Sequence, residues 1–130
     1  MCNHIAVYGS LRVGHGANHF MQGLDLVSSG EETVKGRLFS LGGFPGLKLG
    51  SSENIDVLVD VYELPKDPRT ILARLDQYEG YVSENQSNSL FIRRKTLTSD
   101  NIEVWVYEYN GDVSQLVEIK HGDWTKHVNK

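Results

Sequence analysis

Short runs of residues that are apolar, or that alternate between apolar and polar, recur along this chain, and each predicts a β-strand. Five strands are predicted in this way: residues 4–8, 33–40, 56–63, 90–98 and 102–109. Asp100-Asn101 joins the last two and is typical of a tight hairpin turn. In the last strand Trp105, Tyr107 and Tyr109 are expected to share one face, because side chains two apart in a strand point the same way.

One segment shows the three-to-four-residue spacing of an amphipathic helix with clear ends. Asp67 is its predicted N-cap, and Pro68 lies in the first turn, where a missing N–H costs nothing. The apolar stripe of this helix consists of Ile71, Leu72, Leu75 and Tyr78. Gly80 is predicted to end it. A short helical turn is also expected near Phe20 and Met21.

These elements indicate a single α+β domain over residues 1–130. Strands interrupted by one helix lack the alternation of a doubly wound fold, so we expect a mixed, largely antiparallel sheet or a partly closed barrel. Glycine and proline predict a loop at 41–46, where Phe44 and Pro45 are suited to line a pocket. The Ser- and Asn-rich stretch 83–89 is predicted to be an exposed loop.

Composition narrows the classes of function. The chain is 39% hydrophobic and 23% charged, which is ordinary for a soluble folded protein. The net charge is −4, and the one basic cluster, Arg93-Arg94-Lys95, lies on a predicted strand, where neighbouring side chains point to opposite faces. Nucleic acid is therefore not an expected partner. No signal-peptide pattern or membrane-spanning run is present, so a soluble, unprocessed protein is expected.

Cysteine usage agrees with a reducing compartment. Cys2 is the only cysteine, so neither an intramolecular disulfide nor a cysteine-rich metal site can form. We expect a cytoplasmic protein that needs no metal and no cofactor.

A candidate ligand cradle follows the first strand, at Tyr8-Gly9-Ser10-Leu11. A strand that stops at Gly-Ser leaves successive backbone N–H groups unpaired, which suits an anionic group, and Gly9 has no Cβ to keep a ligand away. Arg12 either adds positive charge there or is solvated. The alternative is a plain tight turn. A serine nucleophile is not expected, because the Gly-x-Ser-x-Gly pattern of a hydrolase elbow is missing.

A candidate catalytic carboxylate, Glu79, ends the predicted helix. The negative end of the helix dipole and partial burial beside Tyr78 and Tyr81 are both expected to raise its pKa towards neutrality. A carboxyl group with such a pKa can act as a general acid and base. The alternative is an exposed glutamate with no function beyond ending the helix.

Taken together, Tyr8-Gly9-Ser10-Leu11 and Leu75-Asp76-x-x-Glu79-Gly80 resemble the gamma-glutamylcyclotransferase-like family, in particular its gamma-glutamylamine cyclotransferase-like branch. Weaker similarities extend the resemblance over nearly the whole chain: Gly36-Arg37-Leu38-Phe39, Gly43-Phe44-Pro45-Gly46-Leu47, Val61-Tyr62-Glu63-Leu64, Trp105-Val106-Tyr107-Glu108-Tyr109 and Gly122-Asp123-Trp124. After the glutamate the family usually shows a proline and Tyr-x-Arg, whereas residues 82–89 lack proline and Phe91-Ile92-Arg93 follows. Substrate choice is expected to differ with this wall of the pocket.

The resemblance implies an α+β barrel core and an enzyme that cleaves an amide by cyclisation. In such an enzyme the α-amine of a gamma-glutamyl substrate attacks its own γ-carbonyl, releasing 5-oxoproline and a free amine. Glu79 would be the general acid and base. The implied substrate-binding residues are Tyr8, Gly9, Ser10, Leu11, Arg12 and Tyr107.

The expected partner is a small gamma-glutamyl or amino-acyl conjugate, and the expected state is a monomer or weak homodimer. Loops 41–46 and 83–89 are expected to border the leaving amine loosely. Two other functions remain open from the sequence: a non-catalytic protein that sequesters a small amino-acid-containing ligand, and an enzyme of the same fold that processes another amino-acyl conjugate.

Overall fold

Within residues 2–50 and 52–129, which the computed structural model describes, seven β-strands form one sheet. The strands are β1 (His4–Val7), β2 (Asp25–Ser40), β3 (Pro45–Lys48), β4 (Ile55–Glu63), β5 (Phe91–Leu97), β6 (Glu103–Tyr109) and β7 (Val117–Glu118). The α-helices are α1 (Arg69–Glu79) and α2 (Trp124–Val128), and short 3₁₀ turns cover Asn18–Met21 and Gln86–Asn88. No helix of the described residues has the length and apolar character needed to cross a bilayer.

The sheet closes on itself as a five-stranded barrel. Its strand order is β1-β4-β2-β3-β6, and β6 pairs again with β1. The pairings of β6 with β1 and with β3 are parallel, and those between the other barrel strands are antiparallel. β5 forms a hairpin on β6, and β7 pairs with β2 outside the ring. The predicted mixed, largely antiparallel sheet curled into a barrel is confirmed.

The barrel has a seam along β6, where β1 and β3 meet. β1 pairs with β6 at Trp105 and β3 pairs with it at Glu108. Tyr8, just after β1, bridges the seam: its hydroxyl donates to the Tyr107 carbonyl at 2.6 Å and accepts from the Leu47 N–H at 3.2 Å. One side chain thus satisfies two backbone groups that strand pairing leaves unpaired here. The chain leaves β1 at this seam.

Alternation along β4 divides the hydrophobic residues into two clusters. Val57, Val59 and Val61 are fully buried and pack with inward residues of the other barrel strands. Tyr62 points the other way, into a second cluster that includes the buried residues of α1. Trp105, Tyr107 and Tyr109 also belong to or pack against this second cluster, which confirms that they share a face. Helix α1 therefore covers the barrel next to the seam.

β2 is longer than its sequence pattern predicts. It begins at Asp25, whereas the predicted strand begins at residue 33. Its register with β4 shifts between Leu26 and Ser28 and again before Glu32. These irregularities break the two-residue alternation on which the strand prediction depends.

The ends of the helices differ from prediction in small but informative ways. α1 begins at Arg69, and Asp67, the predicted N-cap, instead accepts a hydrogen bond from the Arg69 N–H at 3.2 Å from outside the helix. Gly80 ends α1 with a φ of 70°, as predicted. The short helix α2 was not predicted. Asp123 caps it by accepting from the Lys126 N–H.

Candidate active site

A cavity of about 320 Å³ opens where the chain leaves β1 at the seam. Its walls come from the turn after β1, the segment entering β3, the end of α1 and the start of β5. The cavity brings together six of the residues proposed from the sequence: Tyr8, Gly9, Ser10, Leu11, Glu79 and Tyr107. Its volume is at the low end for small-molecule sites, which favours a compact ligand.

The turn at Gly9, Ser10 and Leu11 is held by its carbonyl groups. Each of the three carbonyl oxygens accepts a hydrogen bond from the protein. The donors, in order, are Arg12 N (3.0 Å), Ala17 N (3.0 Å) and Asn18 Nδ2 (2.8 Å). Among the described residues, none accepts a hydrogen bond from the backbone N–H groups of these same three residues. The turn is thus fixed with its donors free, as an anion or carbonyl oxygen requires.

Glu79 is the last residue of α1 and lines the same cavity. Glu79 is partly buried, and this burial raises its pKa to about 7. Within the described part of the chain the carboxylate has no hydrogen-bond partner. The predicted rise in pKa is confirmed, and removal from water is its cause. At neutral pH this group can both accept and return a proton.

Ser10 and Tyr78 form one edge of the cavity. The Ser10 Oγ and the Tyr78 hydroxyl oxygen are 3.0 Å apart. The Tyr78 ring packs against Phe20, with 4.7 Å between centroids. Sequence reasoning placed Tyr78 in the apolar stripe of the helix and beside Glu79, but did not include it among the residues of the site.

Tyr107 is held by an ion pair behind the cavity. Its hydroxyl donates to Asp76 Oδ1 at 2.6 Å, and Arg93 donates to both oxygens of the same carboxylate at 2.8 and 3.2 Å. The Arg93 guanidinium also lies over the Trp105 ring, 4.4 Å from its centroid. Burial and the Asp76 carboxylate raise the pKa of Tyr107, so its hydroxyl stays protonated. Asp76 is three residues before Glu79, and this spacing could have revealed it.

Arg12 is the predicted site residue that the structure does not bring to the cavity. It is buried, and its Nε and Nη1 donate at 3.2 Å to Asp60 and Asp123 respectively. Asp60, fully buried, also accepts from the Val13 N–H at 2.8 Å and from Ser29. A buried carboxylate needs a counter-charge, and this need draws the guanidinium inward. Arg12 therefore positions the turn, and neither contacts the cavity nor lies in solvent.

The structure also decides three expectations about the walls of the cavity. A Cβ on Gly9 would lie 2.6 Å from the Pro45 Cγ, so the space left by this glycine is occupied by the wall of the cavity rather than kept open for a ligand. Phe44 and Pro45 line the cavity as expected. Loop 83–89 does not, and Leu90 and Phe91 form that wall instead. The expectation of a loose border from loop 83–89 is wrong because this loop folds back, with Ser89 bonded to Val82.

The fold and site define a small α+β barrel in which one carboxylate and a turn of free backbone donors line the same cavity. The sequence model of the family described as "Gamma-glutamyl cyclotransferase, AIG2-like" matches residues 5–126, and the chain belongs to this family.

Similar proteins come from several bacteria. The chain is 30% identical to gamma-L-glutamyl-butirosin B gamma-glutamyl cyclotransferase of Niallia circulans, over 93% of this chain and 74% of that one. It is 31% identical to the gamma-glutamylcyclotransferase family protein YtfP of Escherichia coli K12, over 92% and 94% of the two chains. The solution structure of E. coli YtfP superimposes with a TM-score of 0.65 at 29% identity, over 96% and 98%. A uropathogenic E. coli-specific protein shares the fold, with a TM-score of 0.76 at 24% identity over 98% and 95%.

Proposed function

We propose that this protein converts gamma-glutamyl amides into 5-oxoproline and a free amine by intramolecular cyclisation. Membership of the family supports this class of activity at a coarse level. The observation that carries the proposal is the placement of Glu79, with a pKa of about 7, in the same cavity as the free N–H groups of the turn at 9–11. A proton carrier and a set of oxyanion donors are the two functions that this reaction needs.

In the first half of the reaction the glutamyl portion of the substrate lies against the turn. Ionised Glu79 accepts a proton from the substrate ammonium, and the freed amine forms a bond to the γ-carbonyl carbon. The carbonyl oxygen gains the electron pair, and the backbone N–H groups of Gly9, Ser10 and Leu11 stabilise its charge or hold the α-carboxylate. Because the nucleophile belongs to the substrate, the protein needs only to hold one rotamer and move protons.

In the second half Glu79, now protonated, gives its proton to the nitrogen of the leaving amine. The bond between that nitrogen and the former γ-carbonyl carbon breaks, and the carbonyl re-forms in the five-membered lactam. The ring nitrogen, which still carries two protons after the attack, gives one of them to the released amine or to water, so that a neutral lactam and an ammonium ion result. Glu79 returns to its ionised form. A carboxyl pKa near the working pH suits both steps, since the group must accept and then release the same proton.

The product identifies the chemistry. A panel of gamma-glutamyl amides is incubated with the protein and analysed by mass spectrometry, together with the same amides acetylated on the α-amine. We expect 5-oxoproline and free amine from the first set and no reaction from the second, because acetylation removes the attacking group. Free glutamate, or cleavage of an acetylated amide, would show hydrolysis instead. Tight binding of the unmodified amides without any turnover would show a sequestering protein.

A further inference from the structure

The described residues of the cavity wall include one acidic side chain and no basic one. Among the described residues that line it, Glu79 is the only carboxylate, and lysine, arginine and histidine are absent. In the proposed reaction Glu79 serves the substrate α-amine and the turn at 9–11 serves the glutamyl oxygens. No charged group of the wall is then left to pair with a charged substituent on the far end of the leaving amine.

Arg93 and Lys48, which are close in sequence to the lining residues Phe91 and Pro45, are committed elsewhere. Arg93 is held by Asp76 in a paired hydrogen bond behind Tyr107. The Lys48 ammonium donates to the Tyr109 carbonyl at 2.8 Å and does not line the cavity. A carboxylate on the leaving amine would thus lose water without gaining a counter-charge, which is costly.

Apolar side chains form another part of the wall. Phe44 and Leu90 are 38% and 48% exposed and border the cavity. Phe91 lies behind Phe44, with 6.2 Å between ring centroids. A ligand group that covers these side chains removes apolar surface from water, which favours binding.

We propose that the amine released by this enzyme is a monoamine with an apolar remainder and no second charged group, whose hydrocarbon part packs on Phe44 and Leu90. Amides of amino acids, which carry a second carboxylate, and of diamines, which carry a second ammonium, are poor substrates. This inference rests on the proposed function for the identity of the glutamyl head, and concerns only the far end of the substrate.

Three gamma-glutamyl amides with the same three-methylene spacer test it: those of butylamine, of 1,3-diaminopropane and of 4-aminobutanoate. They end in a methyl, an ammonium and a carboxylate group respectively. We expect kcat/KM for the butylamide to exceed both others by at least tenfold, and its Kd for the Glu79→Gln protein to be lowest. Equal values for the three, or a preference for either charged end, would overturn the inference. If none is cyclised, the proposed function fails, and the order of the three Kd values still decides the inference.

A second experiment introduces a positive charge into the cavity wall and measures the change in substrate preference. Leu90→Lys places a cation on the wall, and is expected to reduce the preference for the butylamide over the 4-aminobutanoate amide by at least tenfold. Leu97→Lys is the matched control, because Leu97 is also exposed, at 55%, but lies at the other end of β5 from the cavity. It should keep the preference of the parent protein. An unchanged preference in a folded Leu90→Lys protein would contradict the proposal.

Discussion

At the scale of single residues, burial decides what each side chain of the site can do. Glu79 is partly shielded from water and has no hydrogen-bond partner among the described residues, and its pKa rises to about 7. Arg12 is buried as well, but against two carboxylates, and so becomes a structural cation. The same physical cost of burying charge thus produces a proton carrier in one place and an ion pair in the other.

The raised pKa of Glu79 makes folding depend on pH. Because the folded pKa exceeds the ordinary value of 4.5, the wild-type protein loses stability as pH rises from about 4.5 through about 7. Glutamine does not ionise, so a glutamine at position 79 does not cause this loss of stability. Glu79→Gln should therefore gain up to about 3 kcal/mol relative to wild type between pH 4.5 and pH 8.

Urea denaturation at the two pH values measures this difference. Glu84→Gln is the control, because Glu84 is an exposed carboxylate on the next loop. The free energy of unfolding of the Glu84→Gln protein should equal that of wild type at both pH values. A constant difference between Glu79→Gln and wild type across this range would show that Glu79 is not destabilised by ionisation.

Ser10 contributes one side-chain hydroxyl to the site. The backbone N–H groups of the turn at 9–11 are kept when Ser10 is replaced by alanine. Ser10→Ala should raise the Kd for substrate modestly, by the equivalent of roughly 0.5–1.5 kcal/mol, since one hydrogen bond is lost. Titration calorimetry with a gamma-glutamyl amide measures this change, and Ser87→Ala, on the loop that does not line the cavity, should have no effect. Abolished turnover together with an acyl-enzyme seen in the parent protein would identify Ser10 as a nucleophile.

At the scale of helices and strands, much of the site is built where these elements end. The sequence predicts some of these ends better than others. The end of α1 at Gly80 follows from its apolar stripe and terminal glycine, so Glu79 could be placed correctly. The ion pair between Asp76 and Arg93 could not be predicted, because it joins a helix to a strand residue 17 positions further along the chain. The start of β2 was missed because two register shifts hide its alternation. Local patterns predict elements, whereas contacts between them depend on the closed barrel.

The turn after β1 depends on the ion pair beneath it. Arg12→Leu leaves the fully buried Asp60 carboxylate without its counter-charge, and should lower the free energy of unfolding by about 3–5 kcal/mol. Adding Asp60→Asn to the same protein should recover part of this loss, because the unpaired charge is then removed.

Chemical denaturation of the single and double variants tests this coupling. Arg69→Leu is the control, since Arg69 pairs with Asp67 on the surface and should contribute less than about 1 kcal/mol. A loss for Arg12→Leu as small as that for Arg69→Leu would show that the ion pair does not hold the turn.

At the scale of the whole molecule, closure of the barrel brings the parts of the site together. β1 and β3 share one edge of β6, and the chain leaves β1 at the gap between them, beside the end of α1. Donors and carboxylate thus come from segments about seventy residues apart in sequence. The family resemblance and the barrel could be predicted from two short motifs, and a place for Phe44 in a pocket wall from its loop. The contribution of Leu90 to the same wall needed the fold.

The central proposal is that Glu79 carries the proton in cyclisation. The most direct test is the steady-state rate of 5-oxoproline formation at pH 8 for wild type, Glu79→Gln and Glu84→Gln with the same gamma-glutamyl amide. Glutamine is nearly isosteric but cannot accept the substrate proton, so Glu79→Gln should lose about 10² to 10⁴ in kcat while still binding substrate. Glu84→Gln should stay within a few-fold of wild type. A folded, substrate-binding Glu79→Gln protein that also turns over within a few-fold of wild type would remove Glu79 from the mechanism.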